Sequence, residues 1–148
     1  MANDSTEGFE EFEKLLIQMG EDFGYKETTR NVLIPSVKVA LEPVLISAKA
    51  LARSDTGKMR DSIKLEARIP NSNDKKSSYV SKDDAVIGLV SAKQSKISLS
   101  EEFGTKEKTG HPFLRPALES NVDVVVRRLS SALAYRLDAY QARKYKGK

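Results

Sequence analysis

The 148-residue chain contains no cysteine and no tryptophan. Without cysteine there is no disulfide framework, no thiolate zinc site and no cysteine nucleophile. Histidine is almost as scarce: His111 is the sole one, so a histidine-rich metal centre is excluded. Uninterrupted apolar runs stay far short of the ~20 residues that cross a bilayer. The first residues are acidic and lack the basic-then-apolar order of a secretory leader, so a soluble intracellular chain is expected. No glycine-rich phosphate loop occurs, because Gly57-Lys58 lacks both the upstream glycine and the following Ser/Thr. Asp55, Asp61 and His111 can be drawn into an acid–base set, but nothing in their spacing supports one. The carboxylate pairs Asp83-Asp84 and Glu101-Glu102, read as strand residues, point to opposite faces. No catalytic residue, metal ligand or cofactor is expected, and the chain reads as a non-enzyme.

Charge is abundant and unevenly placed. Charged residues make 31% of the chain against a usual ~25%. Residues 1–27 carry eight acids and two bases, a net of −6, within an overall +4. The last 22 residues carry seven bases and one acid, a net of +6. Opposite charge at the two ends favours pairing, either within one chain or between neighbouring chains. The basic end (Arg127, Arg128, Arg143, Lys144, Lys146 and Lys148) can face another subunit or DNA phosphates. Tyr135, Tyr140 and Tyr145 are candidates for stacking on bases.

Periodicity sets out the elements. Thr6, Phe9, Phe12, Leu15, Leu16 and Met19 predict a short amphipathic helix ended by Gly20 and Gly24. A second helix is expected from Thr28 or Thr29 to Arg53, with its true start near Asn31 and a kink or break at Pro43. Its stripe is Leu33, Val37, Leu41, Val44 or Leu45, Ala48 and Leu51. Lys58–Asp61 is expected as one helical turn. Ile63, Leu65, Ala67 and Ile69 alternate as the inward face of a strand. Residues 71–82 read as a long flexible polar loop. Ala85–Val90 reads as a central strand covered on both faces. Lys96–Ser100 reads as a weaker strand with Ile97 and Leu99 inward. From Phe113 or Leu114, a stripe ending at Tyr140 predicts one helix of about 27 residues, ~40 Å long. The fold expected is α+β: a small antiparallel sheet of about three to four strands against two long helices. An acidic arm, 1–27, precedes a single domain, 28–148.

Three segments are too specific for filler. The first is Asp55-Thr56-Gly57-Lys58-Met59-Arg60-Asp61-Ser62-Ile63, in which Gly57 can take a positive φ. The second is Glu102-Phe103-Gly104-Thr105, read as a strand end. The third is Pro112-Phe113-Leu114-Arg115-Pro116-Ala117, in which prolines fix the approach to the last helix, Phe113 and Leu114 anchor it, and Arg115 can bridge to a carboxylate. Their order and spacing resemble the neck or tail-completion ("tail component") family of long-tailed bacteriophages, similar to the minor tail protein Z type. The resemblance covers about residues 29–140. It implies a virion structural protein of the head–tail junction, made in the host cytoplasm. Such a protein joins finished tails to DNA-filled heads by self-assembly into a ring, a hexamer or dodecamer. Its neighbours would be neck, terminator or tail-tube proteins, with packaged DNA nearby and no membrane. Alternatives are a tail-terminator ring or a non-specific nucleic-acid-binding protein. A regulatory or toxin-like protein is a further alternative.

Overall fold

A computed structural model of the chain describes residues 10, 13–14, 17–18, 21, 25–53 and 57–146, with side chains to Arg143. The expected stripe Phe9, Phe12, Leu15, Leu16 and Met19 lies outside the described residues, as do Gly20 and Gly24. The described positions among them, including Glu10, Glu13, Ile17 and Glu21, are helical and exposed.

The elements are α1 (Tyr25–Leu51), α2 (Lys58–Asp61), β1 (Lys64–Arg68), β2 (Ile87–Ser91), α3 (Lys96–Phe103), α4 (Leu114–Glu119) and α5 (Val122–Lys146). The fold is α+β, and its sheet has two antiparallel strands rather than three or four. β1 and β2 pair with Ala67 opposite Gly88 and Leu65 opposite Val90. A Cβ on Gly88 would lie 2.4 Å from Leu41 Cδ1 and 2.6 Å from Val37 Cγ1, so the missing side chain lets α1 lie directly on the sheet. Ile63 and Ala67 are buried as expected, whereas Ile69 is exposed beyond the strand end. β2 is not a covered central strand: among the described residues it pairs with β1 alone, and none of its residues is fully buried.

α1 organises the rest. It packs against α5, both strands, α4 and α2. Its length and apolar content match those of a membrane-crossing helix even though no single run is long. Its contacts are those of a core helix: Val32, Ser36, Ala40, Val44 and Ala48 are all buried at three- and four-residue spacing. Val44 and Ala48 of the expected stripe are buried, Leu33, Val37 and Leu41 are half-buried beside the buried Val32, Ser36 and Ala40, and Leu51 is exposed.

Both prolines of α1 leave a trace. The helix does not start near Asn31. It runs from Tyr25 through a π-helical turn, Thr29–Leu33, placed just ahead of Pro35. The wider turn relieves the clash between a proline ring and the carbonyl four residues back. Pro43 does not break the helix. It has no N–H for the carbonyl of Val39, and a side chain from α5 takes that place. Arg128 Nε donates to Val39 O at 3.0 Å, and its Nη2 reaches Glu42 Oε2 at 2.9 Å. A sequence irregularity in one helix is therefore matched by a residue of another.

Two further expectations are corrected. Lys96–Ser100 is helical, not a strand. Ser95 and Ser98 form a reciprocal capping box at its start, with Ser98 N–H donating to Ser95 Oγ (3.1 Å) and Ser95 N–H to Ser98 Oγ (2.9 Å). Gly104, at φ +75, ends it. The short I-x-L alternation is overridden by these two signals, and Ile97 and Leu99 are exposed rather than inward. The last helix is also two helices. Asn121 stands at the joint, where its amide donates to Ala117 O (2.7 Å) and to Ser47 Oγ of α1 (2.9 Å). Residues 71–82 form a loop, as expected, with one short helical turn at Asp74–Lys76. Asp74 and Asn71 exchange side-chain to backbone bonds, and Asp74 receives Arg68 through two nitrogens at 2.6 and 3.1 Å.

Replacing Arg128 by Met is expected to cost about 1–3 kcal/mol by leaving the Val39 carbonyl without a partner. In a Pro43→Ala background, residue 43 regains its N–H and the same replacement should cost distinctly less. Urea denaturation of the four proteins measures that coupling, and equal costs in both backgrounds would refute the compensation.

Candidate functional site

The three sequence segments meet in one wall. Asp55 and Thr56 lie outside the described residues. Gly57 has φ +72, a left-handed conformation that glycine adopts without strain, and it opens α2. Met59 and Arg60 follow within that turn, with Arg60 paired to Asp61 at the surface (3.8 Å). Ser62 Oγ donates to Met59 O (2.6 Å) and accepts from Lys93 N–H (3.1 Å), tying the turn to the end of β2. Ile63 then enters a core cluster with Val44, Ala48, Ala52, Phe113 and Ala117. Burying a side chain of the size of Phe113 contributes roughly 1.5–3 kcal/mol.

Glu102 joins the second segment to the third. It is only 7% exposed. Its Oε2 accepts from the N–H of Phe113 (2.9 Å) and Leu114 (3.0 Å), and its Oε1 from that of Arg115 (3.0 Å). These amides open α4 and have no partner within it. A carboxylate there also meets the positive end of the peptide dipoles. Burial pushes the Glu102 carboxyl up, but the three N–H donors and the charge of Arg115 outweigh it, and the group sits below the ordinary glutamate value. The segment is a helix end rather than the expected strand end. Gly104 N–H donates to Ser100 O (2.8 Å), and Thr105 N–H and Lys108 O close the following turn (2.9 Å). Pro112 is exposed and Pro116 lies within α4.

Among the described residues, the Arg115 side chain bridges to no carboxylate. Its guanidinium lies 6.0 Å from the centre of the Phe103 ring. Arg53, from the chain after α1, donates through Nη2 to His111 Nε2 and approaches Glu101 Oε2 at 3.9 Å. His111 is therefore a clasp for the third segment. Asp61 and His111 are engaged with different arginines, so the acid–base set is not assembled among the described residues.

The outer surface of this wall is apolar. Phe103 is 70% exposed and Ile97 66%, with Leu99 also exposed. Two clefts flank α3. One, of about 470 Å³, is lined by Met59, Ser62, Lys93 and Ile97. The other, of about 340 Å³, is lined by Leu99, Phe103, Phe113 and Arg115. Among the described residues, no group of three or more His, Cys, Asp or Glu is placed to hold a metal ion.

The basic residues divide. Arg128 is engaged at the surface of α1 by Val39 O and Glu42 and is not a free cation for DNA or a neighbour. Arg127 and Arg143 are exposed on α5. The side chains of Lys144, Tyr145 and Lys146, and all of Lys148, lie outside the described residues. Tyr140 is buried with Val32, Leu133 and Leu137, so it cannot stack on a base, while Tyr135 is 75% exposed. Arg127, Arg136 and Tyr135 line an open groove of about 600 Å³ between α1 and α5.

No family model, curated protein or solved structure matches this chain.

The sequence singled out Glu102 for its motif but not for its role. A glutamate seven residues past the Ser95 cap and two before Gly104, ahead of a Pro-Phe lead-in to a helix, is the signal that was available. Glu102→Gln is expected to lower stability by about 1–3 kcal/mol at pH 7. A carboxyl with a lowered folded value stabilises above its unfolded value and loses that effect as pH falls through the folded one. The gap between wild type and variant should therefore close below about pH 4. Thermal unfolding from pH 7 to 2.5 checks this, and a gap independent of pH would contradict it.

Proposed function

We propose that the chain is a virion structural protein of the head–tail junction of a long-tailed bacteriophage. It acts by ring-like self-assembly and by contacts with neighbouring neck and tail proteins. The observation that carries this reading is the junction made by Glu102. The three segments that resemble the tail-completion family are not scattered. The carboxylate of the second holds the backbone of the third, and Phe113 of the third packs on Ile63 of the first. A motif set kept in order along the chain gains a physical reason when its members build one unit.

The surface of that unit suits binding rather than chemistry. Phe103, Ile97 and Leu99 stand outward around α3 while the polar groups beneath them are engaged in holding the backbone. Exposed apolar patches of this kind mark contacts with other proteins. Ring closure needs two different faces that match, a heterologous contact. The segregated charge of the two chain ends supplies a second pair of unlike surfaces. A tail-terminator ring rests on the same features and differs in its neighbours.

Inactivating the coding sequence in a phage that carries it should leave DNA-filled heads and unattached tails in the lysate, visible by electron microscopy. Phe103→Asp, tested by complementation, should restore joined particles at least tenfold less well than wild type while remaining folded by circular dichroism. Intact infectious particles without the protein would refute the reading.

A further inference from the structure

The groove between α1 and α5 is built unlike a site for nucleic acid. Apart from its arginines it is lined by a strip of α5, Val124, Ser131, Ala132 and the exposed Tyr135, with Val39 of α1. At 100° per residue, Arg127 and Arg136 fall on opposite flanks of that strip, about 13 Å apart along the helix. The third arginine of the groove, Arg128, is taken by Val39 O and Glu42. A phosphate backbone would meet two separated cations rather than a continuous basic track.

The ligand that fits has an apolar stripe edged with acids, and this chain carries one ahead of α1. Phe9, Phe12, Leu16 and Met19 recur at helical spacing, within a segment of net charge −6. The described positions of that segment are helical, and Glu10, Glu13 and Glu21 face solvent with no ion pair to any described residue of their own chain. We infer that the acidic N-terminal segment of one copy docks in the Arg127–Tyr135–Arg136 groove of the next. The contact is heterologous, so each copy offers one arm and one groove, and the chain of contacts can close into a ring. This rests on the assembly reading above and names the surfaces it uses. Because Glu10, Glu13 and Arg127 are exposed and Arg136 is half-buried, the contact should weaken as the screening length shortens from ~10 Å at 0.1 M salt to ~3 Å at 1 M.

A charge-swap pair of full-length proteins tests it by sedimentation velocity. Wild type should form a discrete oligomer at low salt that falls to single chains at high salt. Arg127→Glu with Arg136→Glu should lose the oligomer, with at least a tenfold weaker association, and so should Glu10→Lys with Glu13→Lys. Circular dichroism confirms that both variants are folded. Mixing the two variants should restore the oligomer, because the normal arm of one meets the normal groove of the other and reversed charges meet each other. Single chains in wild type under all conditions would overturn both the arm contact and self-assembly without a partner. An oligomer indifferent to either swap, or swaps not rescued by mixing, would overturn the arm contact and leave assembly through another face standing. Salt-sensitive binding of a DNA duplex that is lost in the groove variant, with self-association unchanged, would also overturn it.

Discussion

One buried carboxylate joins two of the three sequence segments and holds their packing in shape. Glu102 stands in the last turn of α3 and caps the start of α4, since its two oxygens receive the first amides of the second helix. Helix starts leave N–H groups without partners, and this one is buried too far for water to serve all of them. Removing the acceptor would free Phe113 from its seat, and Phe113 fills the centre of the cluster formed by α1, Ile63 and Ala117. The loop from Gly104 to Gly110 is fixed from both ends as a result. A Cβ at Gly110 would lie 2.6 Å from Gly104 N, so the two glycines let the loop close on itself. The geometry of Ile97, Leu99 and Phe103, which stand out from α3, follows from that anchorage.

α1 is the other half of the same design. It carries two prolines in 27 residues, and each is answered locally. The π-turn precedes Pro35, and Arg128 replaces the hydrogen bond that Pro43 cannot make. Gly88 and Ala67 then let the sheet lie close on α1, while Asn121 pins the α4–α5 joint to Ser47. α1 and the second helix layer are thus linked by polar contacts where the backbone is irregular, and α1 and the sheet by close apolar packing.

Legibility in the sequence followed the strength of local signals. The long helices, the inward face of Ile63 and Ala67, the positive φ of Gly57 and the single turn of Lys58–Asp61 could all be read, because period and glycine or proline placement agreed there. The errors fell where two local signals competed. At Lys96–Ser100 a five-residue alternation masked a Ser95/Ser98 box and a terminal Gly104. At Ser120-Asn121 a continuous apolar stripe masked an asparagine that caps. The roles of Glu102 and Arg128 were not readable, because they satisfy backbone groups distant in sequence, and periodicity carries no information on such pairs. The segment order that suggested a phage family was readable; the physical reason for that order was not.

The account stands on Glu102 holding three segments as one rigid unit, and amide hydrogen exchange reads that directly. At neutral pH the N–H groups of Phe113, Leu114 and Arg115 should be protected to nearly the level of the α5 core at Leu133 and Leu137. In Glu102→Gln that protection should fall selectively, with the α5 amides slowed as before. Rapid exchange of the three amides in the wild type would contradict the account, because the segments would then be neighbours in sequence order without being joined.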